Sequence, residues 1–354
     1  MTGNMPIALI AAFAALASGV SLAEGYGFNT PGNTLISDQF NNRVIEVAPS
    51  GDIVWQFGVG PADVTSKSPV GVNDALRVGE NTLVSASGAP PGSEPLCPSG
   101  CADNRVMLID PQGRIIWQYG RFGVSGYGRD ELNTPVQATW TPMHTIFITD
   151  QANQRVIEVS RDKKVLWQYG TTGVAGAGVN QLNSPNSAEL LENGDILIAD
   201  QSNNRAIEVT RSHRIVATFS AGGTVSAAAF ASRLPNGDTL ITDSNNSRIV
   251  EVDPHDQVVW SYAINTLSGG NPSPLPSRAL RLGDGETLIS DQFNHRVLAV
   301  DPTGRIVRQY GTLNRPGYDA EFAQRALNAP YDAKKIGDYT GMTWSDSLHS
   351  VPQP

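Results

Sequence analysis

The stretch Gly194 to Phe219, GDILIADQSNNRAIEVTRSHRIVATF, decides the fold. It holds three short runs rich in Ile, Leu, Val and Thr, broken by Asp, Asn and Ser. Runs of this kind between such punctuation predict antiparallel strands joined by tight turns. Working outward, the phrase recurs along the chain. Asn33 opens NTLISDQFNNRVIEVAPSGDIVWQFG, and Thr145 opens TIFITDQANQRVIEVSRDKKVLWQYG. Gly237 opens GDTLITDSNNSRIVEVDPHDQVVWSYA, and Gly285 opens GETLISDQFNHRVLAVDPTGRIVRQYG. A disturbed copy begins with NTLVSAS at Asn81 and resumes, after an insertion, as DNRVMLIDPQGRIIWQYG, which makes six copies.

A fourth run, opened by proline, precedes several copies: LNTPVQATWT from Leu132, LNSPNSAELL from Leu182 and LNAPYDAKKI from Leu327. Four strands per unit, repeated at roughly 45 residues, predict the blades of a β-propeller. The first copy lacks its own opening strand, whereas Leu327 to Ile336 is an opening strand with no copy after it. Pairing the two ends closes the ring and removes its open edges. The expected fold is therefore all-β: six four-stranded antiparallel blades, closed by the C-terminal strand joining the N-terminal blade.

The unit L-N-x-P, short strand, G-[DN]-x-L-I-[AST]-D-x-x-N-x-R-V-I-E-V resembles the NHL repeat, and all six units share the resemblance. The W-Q-Y-G endings and the LPNGD turn are similar to PQQ-type and arylsulfotransferase-type propellers, as more distant look-alikes. NHL-type propellers include lyases, ligand binders and protein-interaction modules, so the resemblance implies a fold more than a function. Its lyase members would imply histidines on the inner strands, as metal ligands or bases. Here His144, His213 and His255 fall in turns beside other strands, His295 in a b–c turn and His349 in the tail. No catalytic histidine can be carried over.

The formal net charge of −9, with no Lys/Arg run, argues against nucleic acid and anionic membranes as partners. The N-terminus carries an apolar stretch of about 17 residues ending at Ser21-Leu22-Ala23, although MTGN before it lacks Lys and Arg. The expected organisation is a signal peptide or uncleaved anchor at 1–23, the propeller at 24–340 and a tail at 341–354. The expected compartment is periplasmic or secreted, with membrane contact only if the N-terminal segment is retained. Cys97 and Cys101, in LCPSGC, lack neighbouring ligands for zinc and predict a structural disulfide.

Label the strands of a blade a to d from the axis outward. The b–c turns and the d-to-a linkers then share one face, the top, and the short c–d turns share the other. The top is elaborated most at Ser87 to Asn104, where about eighteen residues replace a short turn. A second long connection is Gly311 to Ala326. The Gly-rich linkers GRFGVSGYG and GTTGVAGAG lack the strand-to-helix context and lysine of a phosphate loop.

Asp38, Asp150, Asp200, Asp243 and Asp291 end strand b in five copies. One residue in one repeated local role predicts a turn-stabilising carboxylate rather than a catalyst. Asn41, Asn153, Asn203 and Asn294 are expected to take left-handed backbone in those turns. Arg43, Arg105, Arg155, Arg205, Arg248 and Arg296 are expected to bridge to carboxylates or loops. Trp55, Trp117, Trp167 and Trp260 are expected as wedges between blades, with Ala217 and Arg308 marking two different junctions.

Particular chemistry should lie where the copies differ. The residue before the small Ala of strand a reads Asp74, Gln137, Ser187, Phe230, Arg278 and Asp332 around the ring. These six are the candidate ligand-binding residues of the central channel, a polar set with one aromatic wall that suits a small polar ligand. No cofactor is expected; the alternative is calcium or another divalent metal held by Asp74 or Asp332 in the channel. The reading this supports is an exported binding or assembly scaffold that takes a protein or small polar ligand through its top face and channel mouth, without catalytic residues. The rivals are a lyase or hydrolase using the channel set, and a peripheral subunit of a membrane complex.

Overall fold

The computed structural model describes residues 27–264 and 268–338. The segments expected as signal peptide or anchor and as tail lie outside the described residues. Six four-stranded antiparallel sheets form the ring. In chain order, the inner strands of blades 2 to 6 are Val72–Val78, Pro135–Trp140, Pro185–Leu190, Ala228–Arg233 and Arg278–Arg281. The inner strand of blade 1 is Pro330–Lys335, the last in the chain, which pairs antiparallel with Thr34–Asp38, the first. The ring closes as the unpaired ends required. Among the described residues no helix is long and apolar enough to cross a membrane.

The core lies between blades rather than within them. Six hydrophobic clusters straddle the six junctions; one, for example, joins Leu76, Leu83 and Tyr119 of blade 2 to Ile146, Ile148 and Ile157 of blade 3. A lone blade would leave both faces wet, so burial and closure are one event. On the bottom side the half-buried tryptophans bridge junctions. Trp55, Trp117 and Trp167 donate their indole N–H to Pro111 O, Arg161 O and Arg211 O of the next blade, at 2.8–3.0 Å. The two odd positions differ: Arg233 of blade 5 crosses to Glu208 of blade 4 at 2.9 Å beside Ala217, whereas Arg308 lies 3.8 Å from Glu286 of its own blade.

The top side is stapled by the repeated D-x-x-N-x-R turns. Asp38, Asp150, Asp200, Asp243 and Asp291 each accept from the Arg five residues on, at 2.6–2.8 Å, and from the Asn three residues on. In the first four, the second carboxylate oxygen takes a backbone N–H from the blade's own linker, as Asn133 N to Asp150 at 2.7 Å. Here the expectation for the asparagines is corrected. Asn41, Asn153, Asn203 and Asn294 lie in short 3-10 turns, and the left-handed residue is the next one: Asn42, Gln154, Asn204 and His295, with φ of 50–58°. The side chain of that next residue accepts a backbone N–H from the following blade's linker. The donors are Gly71, Ser184, Ala227 and Ala329, at 2.7–3.0 Å. In blades 1, 3 and 4 the blade's own linker and its neighbour's linker are thus held by one turn.

Blade 2 has no Asp at the end of its second strand, and Asp103 replaces it from the third. It pairs with Arg105 at 2.5 Å and accepts Val70 N at 2.8 Å. Asn104, left-handed at φ 60°, accepts Thr134 N at 2.8 Å. The insertion at 87–104 is also more regular than a loop. Strands Asn81–Ala89 and Cys101–Ile109 extend beyond those of other blades and pair as far as Ala89 with Cys101, so only 90–100 form the tip. The hairpin crosses the incoming linker at Gly71 and Gly88, where a Cβ on Gly71 would sit 1.8 Å from Gly88 O. The tip is tied back to blade 1 by Asn42 donating to Glu94 at 2.8 Å. The Gly311–Ala326 connection packs on blade 1, with Ile53 N bonded to Glu321 O and Ala323 N to Gly51 O, both at 3.0 Å.

Candidate functional site

All six residues named from the sequence come together on the inner strands, and all are buried. They do not stand as six independent side chains in open water. Asp332 accepts Ala75 N, Asp74 accepts Ala138 N, Gln137 accepts Ala188 N and Ser187 accepts Ala231 N, at 2.6–3.3 Å. Each side chain caps the small Ala of the next blade, which makes a belt around the axis. Phe230 has no acceptor and Arg278 only donors, so the belt changes character there. The Arg278 guanidinium lies 4.3 Å over the Phe230 ring and reaches Asp74 at 3.1 Å. Its Nε sits 2.8 Å from Asp332 Oδ1, too oblique for a hydrogen bond.

A seventh member, missed in the sequence, completes the belt. Lys334 is buried, donates to Asp74 at 2.7 Å and to Ala75 O at 2.9 Å, and pairs with Asp332. Its position two residues along the strand from Asp332, on the same face, was the available signal. Two carboxylates and two cations leave this cluster neutral. Burial pushes the Asp74 carboxyl up, but Lys334 and Arg278 outweigh it and hold Asp74 below its ordinary value. At Asp332 burial wins, with the Asp74 charge adding to it, and the carboxyl is raised. A divalent ion does not fit here, because it would have to displace both cations. Among the described residues no group of three or more His, Cys, Asp or Glu converges as metal ligands.

The open space lies one layer above the belt. In blades 1 to 5 the inner strand carries a register shift just before the belt residue. Such a bulge re-aims a side chain, and it turns Asn73, Val136 and Tyr331 into the mouth of the channel. Tyr331 Oη crosses the axis from blade 1 to Asn186 Oδ1 of blade 4 at 2.9 Å, forming a floor. Above it is a cavity of ≈ 510 Å³. Its rim carries the turn residues Gln39, Phe40, Gln151, Gln292 and Phe293, and one wall is the blade-2 hairpin from Ser87 to Pro90 with Cys101 and Ala102. Gln292 donates to Gln39 at 2.8 Å and Gln151 to Gln201 at 3.4 Å, so amides bridge neighbouring blades around the rim.

Cys97 and Cys101 form a disulfide with Cα atoms 5.9 Å apart, at the base of the hairpin tip. The described histidines lie away from the axis: His144, His213 and His255 in turns, and His295 in its latch. Burial holds the His295 imidazole below its ordinary pKa, as suits a nitrogen that accepts an N–H.

The family model described as outer membrane protein assembly factor BamB, of PQQ type, matches residues 12–262. The PQQ-type likeness was the more distant one in the sequence reading, and it is the one a family model supports. No curated protein matches the chain. Among solved structures, a protein of unknown function from Bacteroides caccae is 14% identical, covering 83% of this chain and 97% of that one, with a TM-score of 0.56. A streptogramin B lyase is 12% identical over 84% and 88%, with a TM-score of 0.53. A catalytically inactive virginiamycin B lyase from Staphylococcus aureus, solved with quinupristin, is 12% identical over 84% and 87%, with a TM-score of 0.51. At these identities the likeness is one of fold.

Proposed function

Because the chain belongs to the PQQ-type family described as outer membrane protein assembly factor BamB, we propose that it is an exported scaffold that binds through its top face and channel mouth. The observation that carries this reading is the asymmetry of that face. Five blades present a short turn there, while blade 2 raises a disulfide-tied hairpin beside a cavity whose floor is shut by Tyr331. Rigid rings with one elaborated face place recognition on that face. The disulfide supports an oxidising compartment, where such bonds persist, and the family's description supports a periplasmic site near the outer membrane.

The lyase reading draws on fold likeness alone, and fold does not carry function. Its expected inner-strand histidines have no counterpart among the described residues. The scaffold reading is tested by immobilising the full chain and capturing proteins from periplasmic and membrane extracts. A second column carries a variant whose tip, 90–100, is replaced by a two-residue turn. A protein held by the first and lost by the second is the expected result. Identical recovery on both columns, or none on either, overturns it.

A further inference from the structure

The channel mouth has a chemistry that narrows what it can hold. The chain is 17% charged, yet among the described residues no Asp, Glu, Lys, Arg or His lines the cavity. The charged belt below is covered by Tyr331 and internally neutral. A charged ligand would shed its hydration here and meet no counter-charge, which is costly. An apolar one would strand the amides of Asn73, Gln39, Gln151 and Gln292.

What remains is an uncharged ligand rich in hydrogen-bonding groups, with a flat apolar face. The rim supplies both halves. The turns read DQFN only in blades 1 and 6, against DQAN, DQSN and DSNN in blades 3, 4 and 5. Phe40 and Phe293 therefore stand on adjacent blades, half-buried, at the cavity. Between them the Gln292–Gln39 bond consumes one amide donor and one acceptor. That leaves a further N–H and a carbonyl lone pair side by side, a match for neighbouring hydroxyls, each of which donates and accepts. Aromatic faces beside paired amides suit sugar rings, whose C–H faces stack while their hydroxyls bridge. The volume is in the range that encloses a small organic ligand.

We propose that the mouth is a binding site for a neutral oligosaccharide, held by Phe40 and Phe293 against Gln39 and Gln292. This rests on the reading of the top face as the binding face. The cavity is blind at Tyr331, so the ligand enters and leaves from the top and nothing passes along the axis.

The test is saturation-transfer NMR and calorimetry on the full chain. Maltotriose, cellotriose and tri-N-acetylchitotriose serve as neutral probes, trigalacturonate as the charged one and trialanine amide as a peptide. At least one neutral trisaccharide should bind, with trigalacturonate at least about tenfold weaker, since one lost stack or hydrogen bond is worth that factor. Phe293→Ala and Gln292→Ala should each weaken binding about tenfold, Phe293→Ala at an unchanged melting temperature. If Phe293→Ala lowers the melting temperature, Phe40→Ala replaces it. The proposal is overturned if no neutral trisaccharide binds, if trigalacturonate or the peptide binds as tightly, or if binding survives the Phe40→Ala/Phe293→Ala double variant. The tip-replaced variant keeps the two readings apart. Saccharide binding without any captured protein overturns the scaffold alone; a captured protein without saccharide binding overturns this inference alone.

Discussion

The axial belt and the mouth above it sit one residue apart on the same strands, and they are chemical opposites. Asp74, Gln137 and Asp332 belong to the belt; Asn73, Val136 and Tyr331, which line the mouth, immediately precede them. The belt concentrates four charges where water does not reach and matches them to one another. The mouth is open, and among the described residues none that lines it is charged. The difference teaches that conspicuous polar residues on a propeller axis can serve closure. The groups with hydrogen-bonding capacity left for a ligand are the less conspicuous amides above them, each of which makes one bond and can make more.

The sharpest way to break this comparison is to unbalance the belt. Arg278→Met leaves two buried carboxylates facing one lysine. Removing one partner of a buried ion pair typically costs about 3–5 kcal/mol, because the other charge is stranded. Urea denaturation of the variant should show a loss of that size. Adding Asp332→Leu should recover most of it, since Asp74 and Lys334 then form a matched pair. A loss under about 1 kcal/mol for the single variant would mean the belt does not hold the ring.

A second test separates the belt from the top-face latches. Burial raises the carboxyls of Asp38, Asp103, Asp150 and Asp200, and lifts Asp291 to about 6 against the pull of Arg296. A folded-state value above the unfolded 3.8 means the native chain binds the proton more tightly. The stabilisation is complete below 3.8 and is lost as pH rises through about 6. For Asp291 the difference of about two units corresponds to about 3 kcal/mol. Wild type should therefore gain stability relative to Asp291→Asn by up to that amount between pH 7 and pH 4, read by denaturant titration at each pH. A flat difference would show that Asp291 stays ionised in its latch. The half-buried Asp301, lowered to about 2 by its hydrogen bonds with Thr303 and Arg305, works in the other direction, only below 3.8.

The wall of the mouth gives a smaller effect. Cys97 and Cys101 close a loop of sequence separation 4. In the chain-entropy account a loop that short stabilises by about 2 kcal/mol. The Cys97→Ser/Cys101→Ser variant should lose roughly that in thermal unfolding. The Asn42–Glu94 bond should still anchor the tip, so hydrogen exchange should rise at 90–100 and stay unchanged in the inner strands. Faster exchange at Ala75 or Ala138 would mean that hairpin and belt are one unit.

How much of this could be read beforehand follows from the physics of each part. Blade number and closure were legible because every copy carries its own turn chemistry, and because Pro330–Lys335 had no blade of its own. The latch role of Asp38 and its equivalents was legible from repetition. The left-handed position was misread by one residue, because Asn41 and Asn42 are both asparagine and the bond geometry decides between them. The belt positions were found from a single column of differing residues. Their mutual pairing was not, since Arg278, Asp74 and Lys334 come from three blades and meet only when the ring closes. The channel mouth was legible as a place, but the residues that line it were not. A strand read with period two points Asn73 and Tyr331 away from the axis, and the bulge that reverses them leaves no mark in the sequence.

The smallest expected effect is the most pointed contrast. Gln151 lies at the rim, with one long bond of 3.4 Å to Gln201. Gln151→Ala should change stability by no more than about 0.5 kcal/mol, as for surface substitutions generally. Calcium belongs to the same comparison. An ion that binds the native state raises the melting temperature as its free concentration exceeds its dissociation constant, but Asp74 and Asp332 are already taken by Lys334 and Arg278. Calorimetry in millimolar calcium should therefore match calorimetry in chelator for wild type. In Lys334→Met, where the carboxylates gain an excess negative charge, a calcium-dependent rise should appear. A rise in wild type would place a free carboxylate site on the axis and dissolve the distinction between a belt that closes the ring and a mouth that binds.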